Sequence, residues 1–250
     1  LSMKEPGIGS KHVQWSAIGQ SFRQIGKAAA FTLNHRFVLF VILAGLILDS
    51  VGRQMATLQS PYLQQIQIPN AYFGFIGAAF ALSGMVTAPI AKHLAQRHSP
   101  IFNLGFLTAI LLFGLAGVIW ALPYWSVVFT VLVMSVMSFV GFFQSHYLNT
   151  HVESAQRATV LSFKGLALNL GFGTASMLYT GLIAYLKVGH SSQELSGEQL
   201  QATVFMEALW WFPGYFLVLI AAILVSGAIF IRRKLLIFAL GGVERDPVEE

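Results

Sequence analysis

Six long apolar segments, separated by short polar connections, occupy more than half of the sequence. A helix of about 20 mostly apolar residues can span a bilayer core roughly 30 Å thick. Stretches of this kind lie at 37–62, 72–91, 101–121, 125–148, 159–186 and 205–231. Their number and length predict an all-α membrane protein with six transmembrane helices.

The composition excludes an ordinary soluble domain. Charged residues make up 10% of the chain, against about a quarter in water-soluble proteins. The chain has no cysteine, which excludes disulfides, thiolate metal sites and a cysteine nucleophile. Because the net charge of +5 is distributed between apolar segments, we expect it to orient the protein in a bilayer rather than to bind nucleic acid.

Basic residues are distributed unequally between the connections. Short cytoplasmic loops retain Lys and Arg during membrane insertion. One side of the predicted bundle has only Lys187, and two basic residues, Arg53 and Lys164, lie within the spans. The other side has Lys4, Lys11, Arg23, Lys27, Arg36, Lys92, Arg97, Arg157, Arg232, Arg233, Lys234 and Arg245. We therefore expect both termini to be cytoplasmic, and we expect the membrane to be the inner (plasma) membrane of a bacterium.

The spans divide the chain into three regions. Residues 1–36 form a cytoplasmic lead-in, in which Trp15, Ile18, Phe22 and Ile25 have the helical spacing of an interfacial amphipathic helix or belong to a partly ordered loop. Residues 37–231 form the six-helix transmembrane domain, and residues 232–250 form a cytoplasmic tail. No connection is long enough for a soluble catalytic domain.

Polar side chains are concentrated on the first, fourth and fifth segments. Such side chains are costly in a bilayer core, so they collect on helices that line a cavity or the bundle interior. The third and sixth segments have few polar residues, which predicts that these two helices face lipid. A polar first helix and an apolar third helix in each triplet are the pattern expected of two three-helix repeats around one pathway.

Asp49 and Arg53 are the strongest candidates for function. Asp49 falls near the middle of the first span, and Arg53 lies one helical turn later, with the acid on the N-terminal side as an intrahelical ion pair favours. One hypothesis is that Asp49 binds a proton or Arg53 an anionic group of a solute, and that the pair opens during a cycle. The alternative is a permanent pair that lowers the cost of burying either charge.

Other polar residues extend this predicted solute and proton pathway. They are Gln54, Thr57, Ser138, His146 and Asn169. Each of them could instead bond a neighbouring helix or lie at a helix end. Lys164 is expected to extend to the cytoplasmic surface. Glu153 and Arg157, between the fourth and fifth spans, are predicted to form a cytoplasmic gate in which Arg157 binds helix C-terminal carbonyls or an acid elsewhere.

Three segments resemble signatures of the major facilitator superfamily of transporters. The run LNTHVESAQRATVLSF, residues 148–163, is similar to the loop between the tenth and eleventh helices of that superfamily. MKEP, residues 3–6, is typical of the segment after the sixth helix. KHLAQRHS, residues 92–99, is similar to the second cytoplasmic signature, G-x-L-A-x-R-x-G. It matches at Leu94, Ala95 and Arg97 and lacks both glycines, which are Lys92 and Ser99 here.

The resemblance implies that the chain is the C-terminal six-helix half of a secondary active transporter, preceded by the central cytoplasmic loop. In that family the seventh, eighth, tenth and eleventh helices border the pathway. The implied partners are a small solute, a coupling ion (a proton is expected), the bilayer, and the missing N-terminal six-helix half or a second copy. We expect no cofactor and no metal.

Motifs of several enzyme and channel classes are missing from the sequence. It contains no GxSG-like serine motif, no HExxH, no NPA box and no GxxxxGK[ST] loop. We therefore predict no enzymatic activity and no catalytic residues. A different class stays open, namely a complete six-helix membrane scaffold, an assembly factor or a small channel without a transport cycle.

Overall fold

Six α-helices follow one another in the computed structural model, which describes residues 35–190 and 196–231 and the isolated positions 26, 30 and 32. A 3-10 turn, Asn70–Tyr72, precedes the second helix, and the described residues include no strand. The helices are α1 Arg36–Gln65, α2 Phe73–Arg97, α3 Pro100–Ile119, α4 Trp125–His151, α5 Ser154–Gly189 and α6 Gly197–Ile231.

All six helices are long and apolar enough to span a membrane. The prediction of an all-helical protein with six candidate transmembrane helices is therefore confirmed for the described residues. The predicted interfacial helix and the tail, residues 232–250, lie outside the described residues.

Local sequence explains the sharp connections at two places. Ser99 accepts a hydrogen bond from the backbone N–H of Phe102 (3.3 Å) and is followed by Pro100, so a side-chain cap and a preset φ begin α3. In the turn between α3 and α4, Ala121 (φ 48°) and Tyr124 (φ 63°) adopt the left-handed region that residues with a Cβ rarely occupy. This backbone reverses the chain within five residues, 120–124.

The helices differ strongly in how much of their surface is covered. In an 18-residue apolar stretch of each helix, the buried share is 72, 11 and 39% for α1, α2 and α3, and 50, 6 and 28% for α4, α5 and α6. The two central helices are thus α1 and α4, which are the first helices of the two triplets.

Close approach of α1 and α4 depends on small residues. A Cβ on Gly45 would overlap the side chain of Gln144, and one on Gly52 would lie 2.7 Å from Cγ of Met137. Gln144 is buried, and its Nε2 donates to the carbonyl oxygen of Val41 at 3.2 Å. A polar side chain therefore joins the two central helices at a site where glycine leaves room for it.

The third helix packs against both central helices. Tyr62 of α1 donates its hydroxyl to the carbonyl oxygen of Val118 (2.7 Å), and Asn103 Nδ2 donates to the Tyr147 hydroxyl of α4 (2.7 Å). A Cβ on Gly114 would lie 2.6 Å from Cγ2 of a valine in α4. These contacts explain why α3 is more buried than α2.

The second and fifth helices are the least buried of the described bundle. The prediction that α3 and α6 face lipid stays a prediction, because burial within one chain does not show which surfaces meet lipid. Leu107, Leu111 and Leu115 of α3 are buried, since an apolar helix packs against an apolar core as readily as it faces lipid. The large apolar side chains exposed on α2 and α5 include Phe75, Leu82, Met85, Val86, Leu170, Met177, Leu178 and Tyr185.

Candidate functional site

Three of the predicted pathway residues meet between α1 and α5. Asp49 Oδ2 lies 2.7 Å from Arg53 Nη2, and Arg53 Nη1 donates a hydrogen bond to Asn169 Oδ1 at 2.9 Å. The predicted ion pair is therefore present, and an amide from the fifth helix extends it.

Helical spacing brings these residues to one side of each helix. Asp49, Arg53 and Thr57 are four residues apart and share a face of α1. On α5, Phe172 lies three residues after Asn169, and its ring centroid lies 5.5 Å from the guanidinium carbon of Arg53. We refer to Asp49, Arg53, Thr57 and Asn169 together as the Arg53 face.

The charged pair is close but its hydrogen-bonding capacity is not used up. Asp49 Oδ2 and Arg53 Nε are buried and have no hydrogen-bond partner among the described residues. The 2.7 Å contact of Oδ2 with Nη2 is thus an ionic contact without hydrogen-bond alignment. Buried polar groups in proteins are normally hydrogen-bonded. If the two side chains moved apart, the carboxylate could take up a proton and Arg53 Nε could donate to an oxygen.

The depth of the Arg53 face limits what it can contact. Asp49 and Arg53 flank the midpoint of α1, which has 30 residues and is therefore about 45 Å long. The Arg53 side chain is 29% exposed, and Thr57 and Asn169 are exposed as well. An arginine at mid-depth is costly against hydrocarbon, so in a bilayer this face requires water or protein beside it.

A second basic group lies nearer the start of α5. The Nζ of Lys164 donates to Ser145 Oγ of α4 at 3.2 Å. This half-buried side chain therefore bonds a neighbouring helix, whereas the sequence predicts that it extends to the cytoplasmic surface. Lys164 is about 7.5 Å along the helix axis from Asn169. Two cations and one acid therefore lie in this part of the bundle.

Gln54 and Thr57 have partners that their sequence positions do not reveal. Gln54 is buried, and its Oε1 accepts a hydrogen bond from Ser176 Oγ of α5 at 2.9 Å. Thr57 Oγ1 donates to the carbonyl oxygen of Arg53 on its own helix at 3.0 Å. Gln54 thus joins α1 to α5. Ser176 lies seven residues, or two helical turns, after Asn169, so its spacing is the signal that could have identified it.

Two other predicted pathway residues lie elsewhere. Ser138 of α4 faces α2, where a Cβ on Gly84 would be 3.7 Å from its Oγ. The ring of His146 stacks on Phe142, with centroids 6.0 Å apart and planes inclined by 10°. No hydrogen bond or ion pair among the described residues joins either side chain to the Arg53 face.

The predicted gate residues lie at the junction of α4 and α5. Glu153 occupies the N-cap position of α5, and its carbonyl oxygen accepts from the backbone N–H of Arg157 at 3.0 Å. The Glu153 side chain makes no capping bond, and Arg157 Nε is buried without a hydrogen-bond partner among the described residues. The expected bond from Arg157 to helix carbonyls is not seen here, and pairing with an acid elsewhere stays a prediction.

Comparison with known proteins gives no match to a family model and no significant match to a curated protein or a solved structure. Among the described residues, no group of three or more His, Asp or Glu side chains is placed to hold a metal ion. The fold therefore defines a class, a helical protein with six candidate membrane spans, and the Arg53 face is the feature of that fold from which a function can be argued.

Proposed function

We propose that the chain is one six-helix half of a secondary active transporter of the major facilitator type. It moves a small solute across a bacterial inner membrane by alternating access, driven by a gradient in which the proton is the coupling ion. One observation supports this most, namely a partly exposed ion pair with a neighbouring amide at the mid-depth of a bundle of apolar helices.

The exposed surfaces of the bundle support a second six-helix unit. The polar Arg53 face needs cover other than lipid. The exposed apolar side chains of α2 and α5 can pack against a second unit as readily as against lipid. Either an N-terminal half or a second copy of the chain would enclose the Arg53 face between two units. A water-filled pathway then runs past Arg53, with α1 and α5 as two of its walls.

The charges of the site favour a solute with an anionic group. Arg53 and Lys164 contribute two positive charges and Asp49 one negative charge, which leaves a net charge of +1. The planar guanidinium group of Arg53 matches the geometry of a carboxylate or a phosphate, and its Nε has no partner among the described residues.

Competition for Arg53 supplies a means of coupling the proton to the solute. When Asp49 takes up a proton, its ionic contact with Arg53 is lost and the guanidinium group is free to bind the anionic group. When Asp49 releases the proton, the ion pair forms again and displaces the solute. Proton and solute then bind in the same state, so they move in the same direction as a symport.

Two further features fit this proposal. The order of burial in α1, α2 and α3 is repeated in α4, α5 and α6, which supports two three-helix repeats. The excess of basic residues on one side supports cytoplasmic termini, and it places Glu153 and Arg157 at the cytoplasmic end, where Arg157 can pair with an acid of the second unit when the inner gate closes.

The experiment is uptake of a panel of small anions and neutral solutes by membrane vesicles, with the protein produced from its native gene and an imposed proton gradient. We expect gradient-driven uptake of an anion, and its loss in Asp49→Asn and Arg53→Gln. Thr174→Val is the matched control, because the Thr174 hydroxyl donates to Leu170 of its own helix. Unchanged uptake and proton coupling in both variants would remove the pair from the mechanism. Uptake of no solute would favour a scaffold, an assembly factor or a channel.

A further inference from the structure

The junction of α2 and α3 has a cluster of exposed basic side chains, which we call the basic junction. Its members are Lys92, His93, Arg97 and His98. The ion pairs found among the described residues lie elsewhere, at Arg53 and at His190. The sequence has no Asp or Glu between Asp49 and Glu153, so α2, α3 and α4 contain no acid that could neutralise this cluster. Its positive charge is therefore uncompensated within these three helices.

The basic junction lies at the level of a membrane surface. It separates two candidate spans, Asn70–Arg97 and Pro100–Ile119. The helix α3 has 20 residues and is therefore about 30 Å long, which equals the thickness of a bilayer core. Its other end is followed by Trp120, Tyr124 and Trp125, exposed aromatic side chains of the kind found at membrane interfaces. When α3 spans the core, the basic junction meets the lipid headgroups.

An exposed apolar strip on α3 begins at the basic junction. Phe102, Phe106 and Phe113 are exposed, and their spacing places them on one face of the helix. We call these three residues the phenylalanine strip. The ring of His98 stacks on that of Phe102, with centroids 4.3 Å apart and planes inclined by 24°. The strip is about 16 Å long, which is about half the thickness of a bilayer core. Basic junction and strip therefore form one continuous surface with the proportions of a single phospholipid.

We propose that this surface binds an anionic phospholipid, whose phosphate is held by the basic junction and whose acyl chain lies along the phenylalanine strip. Arg97 and Lys92 donate charge-assisted hydrogen bonds to the phosphate oxygens, and a ring nitrogen of His98 supplies a further donor. The headgroup contributes the negative charge that α2, α3 and α4 lack, and cations at a membrane surface attract anionic lipids.

A lipid fits this surface because the charges are confined to one end of it. No charged residue occurs from 99 to 119, so the part of α3 that follows the basic junction offers only uncharged contacts. The two polar side chains within the strip are already bonded, since Asn103 Nδ2 donates to the Tyr147 hydroxyl and Thr108 Oγ1 to the carbonyl oxygen of Leu104. The proposal does not require a transport cycle, and it holds whichever side of the membrane the basic junction faces.

The test is photolabelling of the protein, produced from its native gene, in phosphatidylcholine nanodiscs. Two probes with the same diazirine-bearing acyl chain are compared, namely phosphatidylglycerol and phosphatidylcholine, and labelling within residues 101–113 is measured by peptide mass spectrometry. We expect stronger labelling by the anionic probe. Arg97→Gln should lower labelling by that probe by about fivefold, the effect of one cation beside a membrane surface, and should leave labelling by phosphatidylcholine unchanged.

Two controls separate the site from general attraction of negative charge. Lys187→Gln removes one positive charge from an exposed position on α5 and should leave labelling of residues 101–113 unchanged. Millimolar inorganic phosphate at constant ionic strength should not displace the anionic probe, and displacement would show a site for a free anion instead. Equal labelling by the two probes overturns the proposal. Labelling by neither probe also overturns it, as a second copy or another protein covering the strip would produce.

Discussion

Arg53 and Asn169, 116 positions apart in the chain, are joined by a hydrogen bond of 2.9 Å from a guanidinium nitrogen to an amide oxygen. This bond links α5 to α1 at the depth where Asp49 meets Arg53. A charged cluster built by two helices differs from an ion pair that serves only to insert one helix, because the second helix adds an amide that can rearrange when the pair opens.

Asp49 and Arg53 should be energetically coupled. Removal of one partner leaves the other charge buried without compensation, whereas removal of both does not. In a double-mutant cycle of Asp49→Asn and Arg53→Gln, we expect a coupling energy of about 1–3 kcal/mol in chemical unfolding in detergent. As a control cycle, Asp49→Asn combined with Lys187→Gln should be additive. Additivity of the Asp49 and Arg53 substitutions would show that the pair contributes nothing to stability.

Gly45→Ala should destabilise the bundle by about 1–3 kcal/mol, since the added methyl group overlaps the Gln144 side chain between the two central helices. Gly141→Ala in α4 is the matched control, because a Cβ there meets nothing within 4 Å. Alanine has a higher helix propensity than glycine, by roughly 1 kcal/mol, so Gly141→Ala should be neutral or stabilising. Equal unfolding midpoints for the two variants would contradict the packing of α1 against α4.

Tyr62→Phe should lower the unfolding free energy by about 1 kcal/mol, because it removes the fully buried hydrogen bond to the carbonyl oxygen of Val118. Tyr72→Phe changes an exposed tyrosine and should have little effect. The comparison is made by chemical unfolding in the same detergent. A loss of stability in Tyr72→Phe and none in Tyr62→Phe would be the opposite of this expectation.

The proposed orientation can be tested with single cysteines, since the chain has none of its own. We expect Leu122→Cys, in the turn between α3 and α4, to react with an impermeant maleimide in intact cells. Ser154→Cys, at the start of α5, should react only after the cells are permeabilised. Both positions are exposed. The reverse pattern would place the termini outside the cell.

The six spans could be predicted because an apolar run of about 20 residues is a local property of the chain. Their ends were predicted less well. The helix α5 begins at Ser154 rather than at 159, and α6 begins at Gly197 rather than at 205. Hydropathy identifies the part of a helix that suits a membrane core, whereas hydrogen bonding carries the helix on into its polar flank.

The candidate site could be predicted from the sequence only within a single helix. The Asp49–Arg53 pair could be inferred from spacing within one helix, and the structure has it. The bonds of Arg53 to Asn169 and of Gln54 to Ser176 depend on how α5 is rotated against α1. That rotation is set by packing, in which a Cβ on Gly171 would press against the side chain of a leucine in α1. The spacing of residues along the sequence does not reveal how two helices are rotated against each other.

The proposed pathway requires that the Arg53 face borders water at the mid-depth of the membrane. The most direct measurement is labelling of Thr57→Cys by a hydrophilic, membrane-impermeant maleimide in native membranes, beside Phe113→Cys, which is an exposed apolar position on α3. We expect that Thr57→Cys is labelled, and that the solute identified by the uptake panel slows this labelling, while Phe113→Cys stays unlabelled. If Thr57→Cys is as unreactive as Phe113→Cys, the Arg53 face borders no water and the proposed pathway is contradicted.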